Sequence, residues 1–204
     1  GSGVDLDYFS VEKYEANDKV KFILIARMLY KKGILEYVSA AKKIKFLFPD
    51  VNFQLLGPSG VDNPSSIDQS TIDSWVKKGY VNYLGSTKNI KKHIASADCV
   101  VLPSYYPEGV PRSLLEAGAM GKMIVTTDSV GCRDTVDDGV NGYICLPQNV
   151  QDLTNKLKKV IKMTHLQRIN MGLQSRKKME REFDERIIIK KYKQTINKIT
   201  CQKS

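Results

Sequence analysis

Between residues 19 and 146, short uninterrupted apolar runs alternate with longer stretches of helical spacing, and few folds accommodate that rhythm. The apolar runs read as strands at 19–28 (KVKFILIARM), 51–57 (VNFQLLG), 81–85 (VNYLG), 99–104 (CVVLPS), 123–128 (MIVTTD) and 141–146 (NGYICL). Helical stretches occupy 33–48, 67–78, 89–97 and 112–120. Continuous rather than alternating apolar runs suit strands covered on both faces. Strand–helix–strand repetition then implies a parallel sheet with helices on both sides, an α/β Rossmann-like doubly wound domain. Its expected limits are 19–148, with residues 1–18 as a connecting linker ahead of it. After Pro147 the strands stop, and three amphipathic stretches over 149–204 predict a C-terminal helical extension. That extension either packs on the sheet or reaches toward another domain.

The charge is distributed unevenly. The chain carries +10 overall, yet residues 149–204 hold 15 Lys+Arg against 5 Asp+Glu, which accounts for the whole excess. This basic segment reads first as a solvated helical face, with attraction to an anionic membrane surface or an acidic neighbouring domain as the further readings. A nucleic-acid binder more often interleaves aromatics with its cations across one site. No apolar run approaches the ~18 residues of a membrane span, and the opening GSGVDLDYFS has neither a basic leader nor an apolar core. Cys99 and Cys145 fall in strand-like runs and read as core residues of a reducing compartment. Neither the cysteines nor His93 and His165 have metal-ligand spacing.

In a doubly wound sheet the ligand crevice lies beyond the carboxyl ends of the strands, so the loops there hold the candidate residues. The first loop, ARMLYKKG, places Arg27 at a strand end and Lys32 at the start of a helix, with Gly33 next. Two cations beside a helix start suit a diphosphate; taken alone, the pair reads equally well as two surface charges. The second loop, LLGPSGVDNPSS, is a crevice rim and lacks the G-K-[ST] of a Walker loop. The fourth strand leads into YYPEGVPRSLLEAGAMGK. Here Gly109 permits close backbone approach and Pro111 suits the first turn of a helix. The N–H groups of Ser113 and Leu114 are then expected to point outward at the helix start, ready for a second phosphate contact. Glu108 precedes that helix and Glu116 sits about one turn into it, among residues so apolar that its carboxylate needs a partner.

PSYYPEGVPRSLLEAGAMGKMIVTT resembles the E-x7-E region of the retaining glycosyltransferases of family 4, whose GT-B fold has two Rossmann domains. The R-x4-K-G pair, the opening GSGVDLDYF and the later DDGVNGYIC match that family in order and spacing, over roughly residues 1–147. The resemblance implies that this chain is one half of a GT-B fold, the half that binds the nucleotide-sugar donor. It implies that Arg27 and Lys32 hold the donor diphosphate and stabilise the departing nucleoside diphosphate. Glu116 then bonds the ribose hydroxyls and Glu108 the donor sugar, with Gly109, Val110 and Pro111 offering backbone groups. The base is placed near Val81 to Gly85, with Leu84 and Gly85 in the donor site. No cofactor and no metal are expected, because the cations replace the metal. The chain departs from the family after IVTTD, where SVGCRDTV replaces one glycine and puts Asp134 where Glu is common.

The implied partners are a nucleotide sugar, most simply a UDP-sugar, and an N-terminal acceptor-binding domain that this sequence does not contain. The expected location is cytoplasmic, with peripheral contact at the inner face of the cell membrane. The acceptor is expected to be a bacterial surface glycan or lipid-linked oligosaccharide, and the EGVPR loop hints at transfer of N-acetylhexosamine or galactose. The isolated chain is expected to bind nucleotide without transferring sugar. The alternative is a non-catalytic nucleotide- or nucleic-acid-binding module that uses the basic C-terminal helices. A glycosidase with Glu108 and Glu116 as its carboxylate pair is disfavoured, because the two must face each other across one bond.

Overall fold

The computed structural model describes residues 2–12, 19–107 and 109–201. The chain forms β1 (Lys21–Ile25), α1 (Ile34–Leu47), β2 (Asn52–Leu56), α2 (Gln69–Lys77), β3 (Asn82–Tyr83), α3 (Ile90–Ser96), β4 (Cys99–Leu102), α4 (Arg112–Ala119), β5 (Met123–Thr127) and β6 (Gly142–Cys145). Then come α5 (Val150–Lys162), α6 (His165–Lys178) and α7 (Glu185–Cys201). All six strands pair in parallel, in the order β3-β2-β1-β4-β5-β6. Every expected strand is present, each shorter than its apolar run, and the expected helices are present with ends shifted by a few residues.

The central strands are buried along their length, as continuous apolar runs require: Phe22, Ile23 and Leu24 of β1 and all of β4 and β5 are inaccessible to solvent. Phe22 and Phe53 are register partners in β1 and β2 and stack with ring centroids 5.1 Å apart. Helix α1 packs against α5, while α4 packs against α6 and β5. The C-terminal helices α5 and α6 are therefore layers of the domain, anchored by Leu153, Leu157, Val160 and Met179. Helix α6 opens with a capping box between Thr164 and Gln167. It passes into a single π-type turn at Met179–Phe183 that the periodicity did not announce. Cys99, Cys132 and Cys145 are buried, free thiols.

The opening segment departs from its expected role as a linker. Val4, Leu6 and Phe9 are buried within the core. Val4 exchanges backbone hydrogen bonds with the stretch before α7, its N–H donating to Phe183 O at 2.8 Å and its carbonyl accepting from Glu185 N at 3.2 Å. The guanidinium of Arg176 donates to the carbonyls of Leu6, Phe9 and Ala119 at 3.1, 2.9 and 2.8 Å. Three apolar side chains spaced two or three residues apart need a surface to cover, and α4 with the turn before α7 supplies it. The remainder of the expected linker, 13–18, lies outside the described residues.

Candidate functional site

The strand order reverses between β1 and β4, which makes the crevice beyond their carboxyl ends the topological switch point. Two loops meet there, and hydrogen bonds lock the first of them on both sides. On the β2 side, Met28 N donates to Pro58 O at 2.9 Å, Tyr30 N to Ser65 O at 2.8 Å and Ile67 N to Met28 O at 2.9 Å. On the β4 side, Lys31 O accepts from Tyr105 N at 3.1 Å and from Ser104 Oγ at 3.3 Å. Lys32 was expected to begin α1; it instead closes a 3-10 turn, Tyr30–Lys32, and α1 starts two residues later. The hinge between the two is Gly33, at φ 74°, where a Cβ would stand 2.1 Å from Pro103 O. Only glycine lets the first loop lie this close to the end of β4.

The result is a cleft of about 470 Å³ lined by Arg27, Lys31, Lys32, Asn63, Ser65 and Tyr106. Arg27 is exposed, whereas Lys32 is nearly buried at 8% accessibility, with its ammonium 5.5 Å from the centre of the Tyr106 ring. The described residues lining this cleft include three cations and no carboxylate. An anion with several oxygens is the chemical complement of such a wall.

The β4 loop runs from a rigid base. Ser129 Oγ donates to Ser104 O at 2.9 Å, Thr126 Oγ1 donates to Leu102 O at 2.7 Å, and Thr127 Oγ1 also donates to Ser104 O. Pro111 caps α4 with φ at −65°, the value its ring fixes, and an extended ψ of 127°. The amide of Leu114 was expected to be open to a ligand. It donates instead to Pro111 O at 3.1 Å, a 3-10-type bond that tightens the first turn, and its side chain is in the core. The amides that precede this first bond are those of Arg112 and Ser113. Gly109 is exposed and Val110 half-buried, and a Cβ on Gly109 would meet nothing within 4 Å. Glu108 lies outside the described residues.

Glu116 is buried on α4, 3.8 Å from the guanidinium of Arg112, one turn back. Burial pushes its carboxyl pKa up, and Arg112 opposes the rise. It faces a small recess of about 50 Å³ formed with Gly3, Val4, Asp5, Phe9 and Glu185. The structure thus brings Arg27, Lys32 and the β4 loop together, while Glu116 lines a second recess that the opening segment helps to build. Leu84 and Gly85 stand at the end of β3, on the far side of β2. They are tied by Leu84 N to Leu55 O at 2.9 Å and Gly57 N to Gly85 O at 2.8 Å, and neither lines either recess. Tyr106 was missed by sequence reasoning; the signal was an aromatic doublet where β4 ends. Asp134 is exposed in a 3-10 turn, Arg133–Thr135. Among the described residues, no helix is long and apolar enough to cross a membrane.

A doubly wound sheet with a cationic cleft at its switch point is the arrangement in which α/β domains hold nucleotides and phosphates. The chain belongs to the glycosyl transferases group 1 family, whose model matches residues 9–181. It is 34% identical over 170 residues to N,N'-diacetylbacillosaminyl-diphospho-undecaprenol alpha-1,3-N-acetylgalactosaminyltransferase of Campylobacter jejuni, covering 83% of this chain and 42% of the relative. It is 28% identical over 190 residues to a capsular polysaccharide biosynthesis glycosyltransferase of Staphylococcus aureus, covering 87% of this chain and 46% of that protein. The chain therefore spans less than half the length of these curated relatives. Among solved structures, sucrose-phosphate synthase of Thermosynechococcus elongatus superposes with a TM-score of 0.86 at 20% identity, over 98% of this chain and 52% of that one. The Anabaena protein HepE, solved with UDP-glucose, gives 0.80 at 20% identity, over 96% of this chain and 56% of that one. These likenesses show the fold.

Proposed function

We propose that this chain is the donor-binding half of a retaining glycosyltransferase that transfers a hexose or N-acetylhexosamine from a UDP-sugar to a glycan or lipid-linked acceptor. The observation that carries the reading is the meeting of the Arg27–Lys32 loop with the Tyr105–Pro111 loop at the switch point, across Gly33. In this reading the diphosphate lies in the cationic cleft, held by Lys32 from its nearly buried position and by Arg27 at the mouth. Bond cleavage at the sugar C1 builds negative charge on the departing UDP, and fixed cations there stabilise the transition state more than the ground state. Those two cations take the place of a metal.

The backbone of Gly109 to Pro111 faces the sugar, and Glu108 accepts from its hydroxyls. Among the described residues nothing lies within 4 Å of a Cβ at Gly109, which leaves room there for the sugar. The Glu116 carboxylate accepts hydrogen bonds from the ribose, which compensates the desolvation that raises its pKa. The base reaches toward Leu84 and Gly85. The acceptor and its binding groups belong to a second domain, so the chain alone binds nucleotide without turnover. The undecaprenol-linked substrate named for the Campylobacter relative supports a lipid-linked acceptor. Many C-terminal cations are engaged within the fold, as in Arg168 with Asp98 at 3.2 Å and Lys178 with Asp137 at 2.8 Å, which weakens the nucleic-acid alternative.

Calorimetric titration with UDP tests the reading. Binding should be strong in the native chain and reduced at least tenfold in both Lys32→Ala and Glu116→Ala, two residues in separate recesses. Binding that survives both substitutions would refute it.

A further inference from the structure

Within the cationic cleft, the ring of Tyr106 serves two lysines: Lys32 Nζ lies 5.5 Å and Lys31 Nζ 5.9 Å from its centroid. The ring is 40% exposed and belongs to the β4 loop, whereas both lysines belong to the β1 loop. Its backbone is fixed through one hydroxyl, because Tyr106 N donates to Ser104 Oγ at 3.3 Å and Ser104 Oγ donates to Lys31 O at 3.3 Å. The β4 loop therefore holds the Lys31–Lys32 turn twice, once by hydrogen bonds to the main chain and once by an aromatic face to the ammonium groups.

We propose that Tyr106 is a positioning residue for Lys32, its π-face helping to hold the ammonium over the cleft before any diphosphate arrives. This inference rests on the donor-site reading above. A lysine has four rotatable side-chain bonds, and fixing them on binding costs entropy that a preset rotamer avoids. A cation within about 6 Å of a ring centroid is attracted by the ring quadrupole, and burial of one partner strengthens that attraction. The ring faces two clustered ammonium groups, Lys31 and Lys32, and its negative face offsets part of their mutual repulsion. On this account the aromatic face matters and the hydroxyl does not. Tyr106 acts through Lys32, so its loss weakens recognition of the diphosphate and leaves recognition of the nucleoside alone.

The test compares UDP and uridine binding by native protein, Tyr106→Phe, Tyr106→Leu, Lys32→Ala and the Lys32→Ala/Tyr106→Leu double variant. Tyr106→Phe should match native affinity within about twofold, and Tyr106→Leu should weaken UDP about three- to tenfold with uridine unchanged. On the Lys32→Ala background, Tyr106→Leu should add less than about twofold, as expected of two residues acting through one interaction. Equal losses for UDP and uridine, an undiminished effect without Lys32, or damage by Phe equal to that by Leu would each overturn the proposal. A second readout needs no nucleotide: the rate of amine labelling at Lys32, followed by mass spectrometry. It should rise several-fold in Tyr106→Leu and stay unchanged in Tyr106→Phe. An unchanged rate in Tyr106→Leu would sink the positioning role. Failure of the native protein to bind UDP would sink only the donor-site reading.

Discussion

Replacing Gly33 with alanine should split the site at its seam. At φ 74° an alanine is strained, at about 1–2 kcal/mol. Its Cβ would also fall 2.1 Å from Pro103 O and 2.6 Å from Pro103 C, where ordinary contact begins near 3.4 Å. Both atoms are backbone at the end of a fully buried strand, so relief requires the β1 loop to back away from β4 by more than an ångström. Overpacking of this kind costs about 1–3 kcal/mol, giving a total of about 2–5 kcal/mol. Gly60 provides the control, since it has φ 61° and no heavy atom within 4 Å of its added Cβ. Gly60→Ala should therefore lose only the conformational part, about 1–2 kcal/mol. Urea denaturation of the two variants isolates the contact term as their difference. The same displacement moves Lys32 relative to Tyr106 and the β4 loop, so UDP affinity should fall at least tenfold in Gly33→Ala and hold in Gly60→Ala. Equal stability of the two variants, within about 0.5 kcal/mol, would refute the reasoning.

Glu116→Gln should trade function for stability. The raised pKa of Glu116 means the folded state favours the neutral acid, so the penalty is absent below the ordinary value of 4.5 and grows as pH rises through the shifted one. The variant should melt higher than the native chain at pH 7, lose that advantage below pH 4.5, and bind UDP more weakly. Arg176→Ala should cost about 2–4 kcal/mol in denaturant unfolding and release the opening segment, because one guanidinium serves three carbonyls there. It should also lower UDP affinity, since that segment walls the Glu116 recess. Burial pushes the Cys145 thiol up to about 12 and that of Cys99 higher still, so neither should react with iodoacetamide at pH 8 until the protein unfolds. If two cations rather than a metal meet the diphosphate, as proposed, UDP binding should be the same with and without EDTA.

The sheet and its helices were legible because burial on both faces leaves an unbroken apolar run, and such runs survive in the sequence wherever β1, β4 and β5 pass through the core. The position of the crevice at the switch point was legible too, because it follows from strand order. What resisted reading was local. Nothing in YKKG distinguishes a 3-10 turn from the first turn of α1, since the choice depends on Pro103 pressing against Gly33 from a strand 70 residues away. Val4, Leu6 and Phe9 looked like linker residues because their partners, α4 and the turn before α7, are distant in sequence. Tyr106 was not singled out because the lysines that lie over its ring come from another loop. Nothing near Glu116 in the sequence announced its recess, which is built partly by the opening segment more than 100 residues away.

The most direct measurement is amide chemical-shift mapping of the 15N-labelled chain during titration with UDP. The account predicts saturable shifts confined to the loops that follow β1, β2, β3 and β4, with the largest at Lys32, Gly33, Tyr106 and Gly109 and smaller ones around Glu116. Shifts that cluster instead along the lysines of α5 to α7, or that vanish with added salt and leave the Gly33 seam untouched, would contradict it.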